Sequence, residues 1–167
     1  MSFDISGGLN IGLTIQHQSI DDLGNIDRPL AINTNYSFSY GTGANQINQL
    51  YAARRTLTDG ANETLNLHDS GTLLDAYGNA IAMDAIKMLV VKNNSADADL
   101  LLFGGNSADI PICSNATDQI IIKPGCMFSW ANLSAAGLDI TTNKNLRIAH
   151  NGTGTSTMAV DIVVGGI

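Results

Sequence analysis

The chain has 167 residues, of which 44% are hydrophobic and only 14% charged, and it carries a net charge of -7. An acidic surface repels phosphate backbones, so nucleic acid is excluded as an expected partner. No apolar run approaches the ~20 residues of a membrane span, and no secretory signal precedes the first strand pattern, so neither a membrane nor an export signal is expected.

The composition favours strands and turns over helices. A soluble domain usually carries about 25% charged residues, so the polar surface here must be built largely from Asn, Ser, Thr, Gly and Gln. Glu63 is the only glutamate, whereas aspartate is frequent. Glutamate favours helices, while aspartate and asparagine favour turns and caps. The chain is therefore predicted to be all-β.

Residues 1–27 differ from the rest of the chain. The stretch "SFDISGGLNIGLTIQ" alternates weakly and leads into the acidic turn "DDLGNID", which indicates either a first strand pair or an extended arm. Such a segment lacks the mass for its own core and orders against another surface. We divide the chain into residues 1–40, an N-terminal arm or first strands that make assembly contacts, and residues 41–167, a β-sandwich.

The clearest strand signals follow Arg28. "LAINTNYSFSY" alternates, with Tyr36, Phe38 and Tyr40 on one face, as in a half-buried strand. A further strand is predicted over residues 51–57, and "TDGAN" supplies the turn before "ETLNLH". In this last stretch Leu65 is expected to face the core.

Two hairpins are predicted in the second half of the chain. "AIKMLVVKN" and "ADLLLFGG" would form the first around "NSAD", and "QIIIKPGCMFSWAN" would form the second around "KPG". Turn signals recur every 8–12 residues, as in a sandwich or barrel. The predicted fold is an antiparallel β-sandwich of the jelly-roll type, with about eight strands and an extended N-terminal arm.

No constellation of residues indicates catalysis. A hydrolytic triad needs a nucleophile, a base and an orienting group. The histidines are His17, His68 and His150, and His68 is followed directly by Asp69 and Ser70. Sequence neighbours on a strand point to opposite faces and cannot form a relay, so His68 and His150 are interpreted as exposed polar strand ends. Most aspartates lie in turn contexts, where Asx turns explain them. We therefore expect no catalytic residue and no enzyme activity.

Metal, disulfide and sugar sites have only weak signals. Asn93, Asp97 and Asp99 could share a loop calcium, but no EF-hand or zinc spacing is present, so neither a metal nor a cofactor is expected. Two cysteines, at 113 and 126, could form a disulfide or remain small buried thiols. Trp130 could serve as a sugar platform, although a single Trp on a strand more often belongs to a core.

The middle and end of the chain resemble a known class of protein. The stretches "RTLTDGANETLNLHDSGTLLDAYGNAIAMDAIKMLVVKN" and "DQIIIKPGCMFSWANLSAAGLDI", and the ending "NLRIAHNGTGTSTMAVDIVVGG", are similar to small jelly-roll virion proteins of tailed bacteriophages. Proteins of this class serve as head decoration, head-fibre bases or tail-associated modules. The resemblance spans Arg55 to Gly166. It implies a virion role and a homotrimer, and it implies no catalytic residue.

The expected function is therefore structural. We predict a non-enzymatic bacteriophage virion protein, a capsid decoration or minor capsid component, made in the bacterial cytoplasm and located in the virion. Its expected partners are other copies of itself, as a homotrimer, and the major capsid protein or other virion proteins. The alternative is a carbohydrate- or receptor-binding module of a phage tail or fibre. The predicted assembly residues are Phe3, Ile5, Leu9, Ile11, Leu13, Tyr36, Phe38 and Tyr40. The alternative for Tyr36, Phe38 and Tyr40 is that they are ordinary core residues.

Overall fold

The computed structural model of the protein is all-β. It describes residues 5–21, 24–69, 71, 73–105, 108–113, 115, 117–152 and 157–167, and within these ranges it contains twelve strands and no helix. The same residues contain no helix that could cross a bilayer. The strands are β1 (Gly7–Asp21), β2 (Gly24–Tyr40), β3 (Gln46–Ile47), β4 (Gln49–Leu57), β5 (Asn62–Asn66), β6 (Ala85–Asn93), β7 (Leu100–Phe103), β8 (Gln119–Ile122), β9 (Met127–Ala131), β10 (Leu138–Asp139), β11 (Asn145–His150) and β12 (Met158–Gly166).

The first two strands form a long antiparallel hairpin. Its register pairs Gly7 with Phe38 at the base and Asp21 with Gly24 at the tip. At the base, β2 also pairs with the short strand β3 in parallel, through Ser39 and Tyr40. The expectation of a strand over "LAINTNYSFSY" is confirmed, and the weakly alternating N-terminal stretch forms its partner strand rather than an irregular arm.

The remaining strands form two antiparallel sheets around one core. One sheet has the order β10-β6-β12-β4, with β9 also paired to β6, and the other has the order β5-β11-β7-β8. Buried side chains from both sheets belong to a single hydrophobic cluster. These sheets are the body of the molecule, and the hairpin lies outside their core.

Strand β12 shows how the sequence specifies the body. Its even-numbered side chains from Met158 to Val164 are at most 1% exposed, whereas the intervening Asp161 lies on the outer side. Because successive side chains in a strand point to opposite faces, this alternation places one aliphatic row in the core. At the end of the strand, Gly166 approaches the backbone of Ala85 so closely that no larger residue would fit.

The prediction that "AIKMLVVKN" and "ADLLLFGG" form a hairpin is wrong. β6 and β7 lie in different sheets, because β6 pairs with β12 and β9 while β7 pairs with β11 and β8. The intervening segment crosses the sandwich, and the buried Asn93 side chain holds this crossing by donating to the carbonyl oxygens of Ala98 and Ile122. Both apolar runs face the same core from opposite sides.

The second predicted hairpin is wrong for the same reason. Its turn is correct, since Cys126 N donates to Lys123 O over 3.0 Å and Gly125 has a φ of 74°. However, β8 pairs with β7 and β9 pairs with β6, so the turn carries the chain from one sheet to the other. The sequence therefore predicted the turn correctly, but it did not show which strands pair on either side of that turn.

Candidate functional site

The hairpin carries an uncovered apolar surface. Directly paired residues of antiparallel strands share a face, and the register pairs Leu13 with Ile32 and Ile15 with Leu30. These four side chains and Ile11 are each between 43% and 53% exposed. Together with two half-buried neighbours they constitute what we call the apolar face: Leu9, Ile11, Leu13, Ile15, Leu30, Ile32 and Tyr36.

The opposite side of the same hairpin is polar. Asn10 pairs with Asn35 and Gly12 pairs with Asn33, and all four residues are exposed. An amphipathic ribbon of this kind is expected to cover its apolar side, because a two-stranded hairpin alone is only marginally stable in water. Exposed apolar patches on monomers commonly mark interaction sites.

The long edges of the hairpin are also available for pairing. Within the described residues, β1 pairs only with β2, and the other edge of β2 pairs only at Ser39 and Tyr40 with β3. Unpaired backbone groups along a strand edge accept a strand from another chain. The hairpin therefore offers both a face and two edges to a partner.

The predicted assembly residues divide into several groups. Leu9, Ile11, Leu13 and Tyr36 lie on the apolar face. Phe38 is only 4% exposed, in agreement with the core alternative for that residue. The others are placed elsewhere: Ile5 and Tyr40 line a cleft at the base of the hairpin, and Phe3 lies outside the described residues.

Three residues of the apolar face were missed from the sequence: Ile15, Leu30 and Ile32. The signal was present, since Leu30 and Ile32 alternate with Ala31 and Asn33 in the same run as Tyr36. Their shared face with Leu13 depends on pairing between two strands that the acidic turn separates, and local alternation does not specify that pairing. Pairing the two across the acidic turn places all seven side chains on one side.

The base of the hairpin is fastened to the body by a buried lysine. Lys87, on β6, is fully buried, and its Nζ donates to the Gly43 carbonyl oxygen over 2.6 Å. Burial lowers the pKa of Lys87, because desolvation disfavours the ammonium form. Nearby, Asn45 N donates to the Leu133 carbonyl oxygen over 2.9 Å. These bonds fix where the hairpin leaves the body.

A cleft of about 470 Å³ lies beside this base. Two exposed tyrosines border it, Tyr40 at 50% and Tyr77 at 76%. One wall is the turn at Asp75, whose carboxylate accepts hydrogen bonds from the Asn79 side chain and from backbone N–H groups. The Asn79 side chain contributes most to the lowered pKa of Asp75. The Oδ1 atom of Asn48, also in the lining, is buried and has no hydrogen-bond partner among the residues that the structure describes.

The two described histidines are not exposed strand ends, so that interpretation is wrong. His150 is buried, and its Nδ1 accepts a hydrogen bond from Gly152 N and lies 3.6 Å from Asp59 Oδ1. His68 is half-buried, with its Nδ1 2.9 Å from the Met83 carbonyl oxygen. Neither imidazole lines the base cleft or the shallow depression on the hairpin. The side chain of His17 lies outside the described part of the chain.

The structure also shows the surroundings of the residues that were considered for metal, disulfide and sugar sites. Asp99 pairs with Lys123 at 2.7 Å, and the described residues contain no group of three His, Cys, Asp or Glu side chains that could hold a metal ion. Cys113 is half-buried and Cys126 is exposed, and both thiols are free. Trp130 on β9 is half-buried and packs against the core.

Comparison with known proteins found no matching family model, no similar curated protein and no similar solved structure. The functional argument for this chain therefore depends on its own surfaces.

Proposed function

We propose that the protein is a non-enzymatic structural component of a bacteriophage virion, a capsid decoration or minor capsid protein attached through its N-terminal hairpin. The observation that carries the proposal is the contrast between a body whose apolar rows are covered and a hairpin whose apolar face is not. Exposed apolar surfaces of this kind commonly mark sites of contact with another protein. Such a surface suits a protein that functions within an assembly.

The strand order of the body supports a jelly roll, the fold implied by the resemblance to phage virion proteins. Four antiparallel pairs nest inside one another: β4 with β12, β5 with β11, β6 with β9, and β7 with β8. A chain folded first into one long hairpin and then rolled would pair its strands in this way. The eight strands divide into two four-stranded layers, as two interleaved Greek keys do.

The proposed mechanism is attachment by repeated, chemically inert contacts. Residues 1–40 make the assembly contacts and residues 41–167 form the jelly-roll body displayed on the particle. The proposed partners are further copies of the chain, as a homotrimer, and the major capsid protein or another virion protein. Several weak contacts made together hold a multimer far more tightly than one contact holds a single chain.

The test is whether the chain is part of the particle. Virions purified by density gradient from a phage that encodes this chain should contain it, as measured by mass spectrometry of the banded particles. The Ile32→Lys variant, which places a charge on the apolar face, should be missing from them. Asn33→Lys adds the same charge to the opposite face and should still be incorporated. Recovery of the wild-type chain only from the soluble fraction would overturn the proposal.

The cleft at the hairpin base favours a second candidate, the carbohydrate-binding module of a tail or fibre. Its two exposed tyrosines, Tyr40 and Tyr77, could stack on sugar rings, while Asn48 Oδ1 offers a buried acceptor for a hydroxyl. Trp130 is a poor probe of this function because it packs against the core. Binding of host surface polysaccharide that is abolished by Tyr77→Ala and retained by Leu74→Ala, a change at another exposed position, would support this candidate.

A further inference from the structure

We infer that the apolar face is covered by two further copies of this chain, so that three hairpins close into a six-stranded barrel. This inference rests on the proposed role of the hairpin as the assembly device and names the partner of that surface. It follows from the charge of the face, from the unpaired edges of the hairpin and from the geometry of closure.

The charge of the face permits contact between copies. The chain carries a net charge of -7, so two copies repel each other at most orientations. Over residues 9–15 and 30–36, however, this side of the hairpin contains no charged side chain, and Thr34, paired with Ile11, is the only other residue on it. Copies can therefore meet through this surface without bringing like charges together.

The unpaired edges favour closure of a ring. If the hairpins stand side by side, the outer edge of β1 in one copy meets the outer edge of β2 in the next, and the strands run alternately up and down. Each copy then uses both edges, with no unpaired edge left along the paired length. Contact between two different surfaces of identical subunits closes only when the rotation completes a circle.

The width of the ring fits three copies. Six strands spaced by about 4.8 Å give a ring of about 5 Å radius before tilt is considered. Since the interior of an eight-stranded barrel is already just filled by side chains, a six-stranded ring is filled by aliphatic rows such as those of Leu13 and Ile32. Two hairpins stacked face to face would leave both flanks of each apolar face in water and all four edges unpaired.

The experiment measures the mass of the full chain in solution by light scattering after size exclusion. Wild type is expected at about three times the 17.5 kDa chain mass. Ile32→Lys should be a monomer, while the matched control Asn33→Lys, with the same charge on the opposite face, should remain a trimer. The double variant Leu13→Thr with Ile32→Thr places β-branched threonines, which favour strands, at both positions. It should also be a monomer, which covers the case in which Ile32→Lys fails to fold.

Wild type measured as a monomer or a dimer would overturn the inference, as would a trimer that survives both apolar-face variants. Loss of the trimer in Asn33→Lys would also contradict it, because the wrong face would then be in contact. The outcome is separable from the virion proposal. A trimer in solution that is missing from particles keeps this inference and overturns that function, whereas a monomer found in particles does the reverse.

Discussion

Strands β1 and β12 follow the same sequence rule and end in different environments. In both, an aliphatic residue occupies every second position, although the positions between them in β12 include Val163 as well as Ala159 and Asp161. The aliphatic row of β12 is at most 1% exposed, whereas Ile11, Leu13 and Ile15 of β1 are each more than 40% exposed. Alternation therefore indicates that one face of a strand is apolar. Whether the same chain covers that face depends on the rest of the fold.

The two regions also differ in how they are paired. β12 lies between β4 and β6, so both of its edges are satisfied within the chain. β1 has one partner among the described strands, and β2 pairs beyond β1 only through Ser39 and Tyr40, with the short strand β3. The apolar rows of the body are covered within the chain, whereas the hairpin has an exposed apolar face and unpaired edges.

The largest expected contrast is between two isoleucines truncated to alanine. Ile148, on β11, is fully buried in the core, so Ile148→Ala should lower the free energy of unfolding by about 2–5 kcal/mol. Ile32→Ala should change the stability of the body by less than about 0.5 kcal/mol, because that side chain touches no core. Both are measured by urea unfolding followed by Trp130 fluorescence, at concentrations too low for association. Equal losses would show that the hairpin and body fold as one unit.

A buried ion pair should give the next largest effect. Asp109 is 3% exposed, and Arg147 holds it through Nε at 2.9 Å and a terminal guanidinium nitrogen at 2.8 Å. Arg147→Met leaves that carboxylate without its cation and should destabilise the body by about 2–3 kcal/mol. Arg54→Met, which removes an exposed ion pair to Asp161, is the control and should have a smaller effect. The same loss from both variants would contradict this account of burial.

The link between the two regions should prove dispensable for the body. Lys87→Met removes a buried charge along with its hydrogen bond to Gly43. Because burial already disfavours the ammonium form, the two effects offset, and stability should stay within about 1 kcal/mol of wild type. Hydrogen exchange should nevertheless speed up at residues 43–47. A loss of several kcal/mol would mean that the hairpin base is part of the core.

The smallest effect is expected at the surface of β12 and depends on pH. Arg54 donates two hydrogen bonds to Asp161 and lowers the pKa of that carboxyl from 3.8 to about 2. The unfolded chain therefore takes up the proton first as the pH falls. Stability from this pair is fully present above pH 4 and is lost as the pH falls towards 2.

Asp161→Asn tests this assignment. Its stability should differ from that of wild type by less than about 1 kcal/mol above pH 4, because the pair is partly exposed to water, and the difference should vanish near pH 2. Urea unfolding at a series of pH values measures it. A difference that is independent of pH would mean that the carboxylate charge makes no contribution.

The strands of this fold could be predicted from the sequence more readily than their partners. Alternation identified the strand ending at Tyr40, and "KPG" identified the turn at Gly125. Pairing failed at β6 and β7 because a short polar connection looks the same whether it reverses a strand within one sheet or crosses to the other. Burial of His150 was missed because its place at the end of a strand pattern does not show that Asp59 and Ala61, distant in the sequence, lie beside it.

The candidate site was predicted in part. Leu9, Ile11 and Leu13 were expected to be contact residues, and the structure places them on the apolar face. Ile32 was missed because its role follows from the register across the turn, which local periodicity does not specify. The cleft beside Tyr77 could not have been anticipated, since it joins a turn with segments distant in the sequence.

The central claim is that other copies of the chain cover the hairpin, and amide hydrogen exchange tests it most directly. Wild type and Ile32→Lys are compared by mass spectrometry under identical conditions, with the peptides of β12 as an internal reference. In wild type, residues 7–15 and 30–38 should be strongly protected, including the β1 amides that point away from β2. In the variant, this protection should be lost while that of β12 is unchanged. Equal exchange of the hairpin in the two proteins would contradict the account.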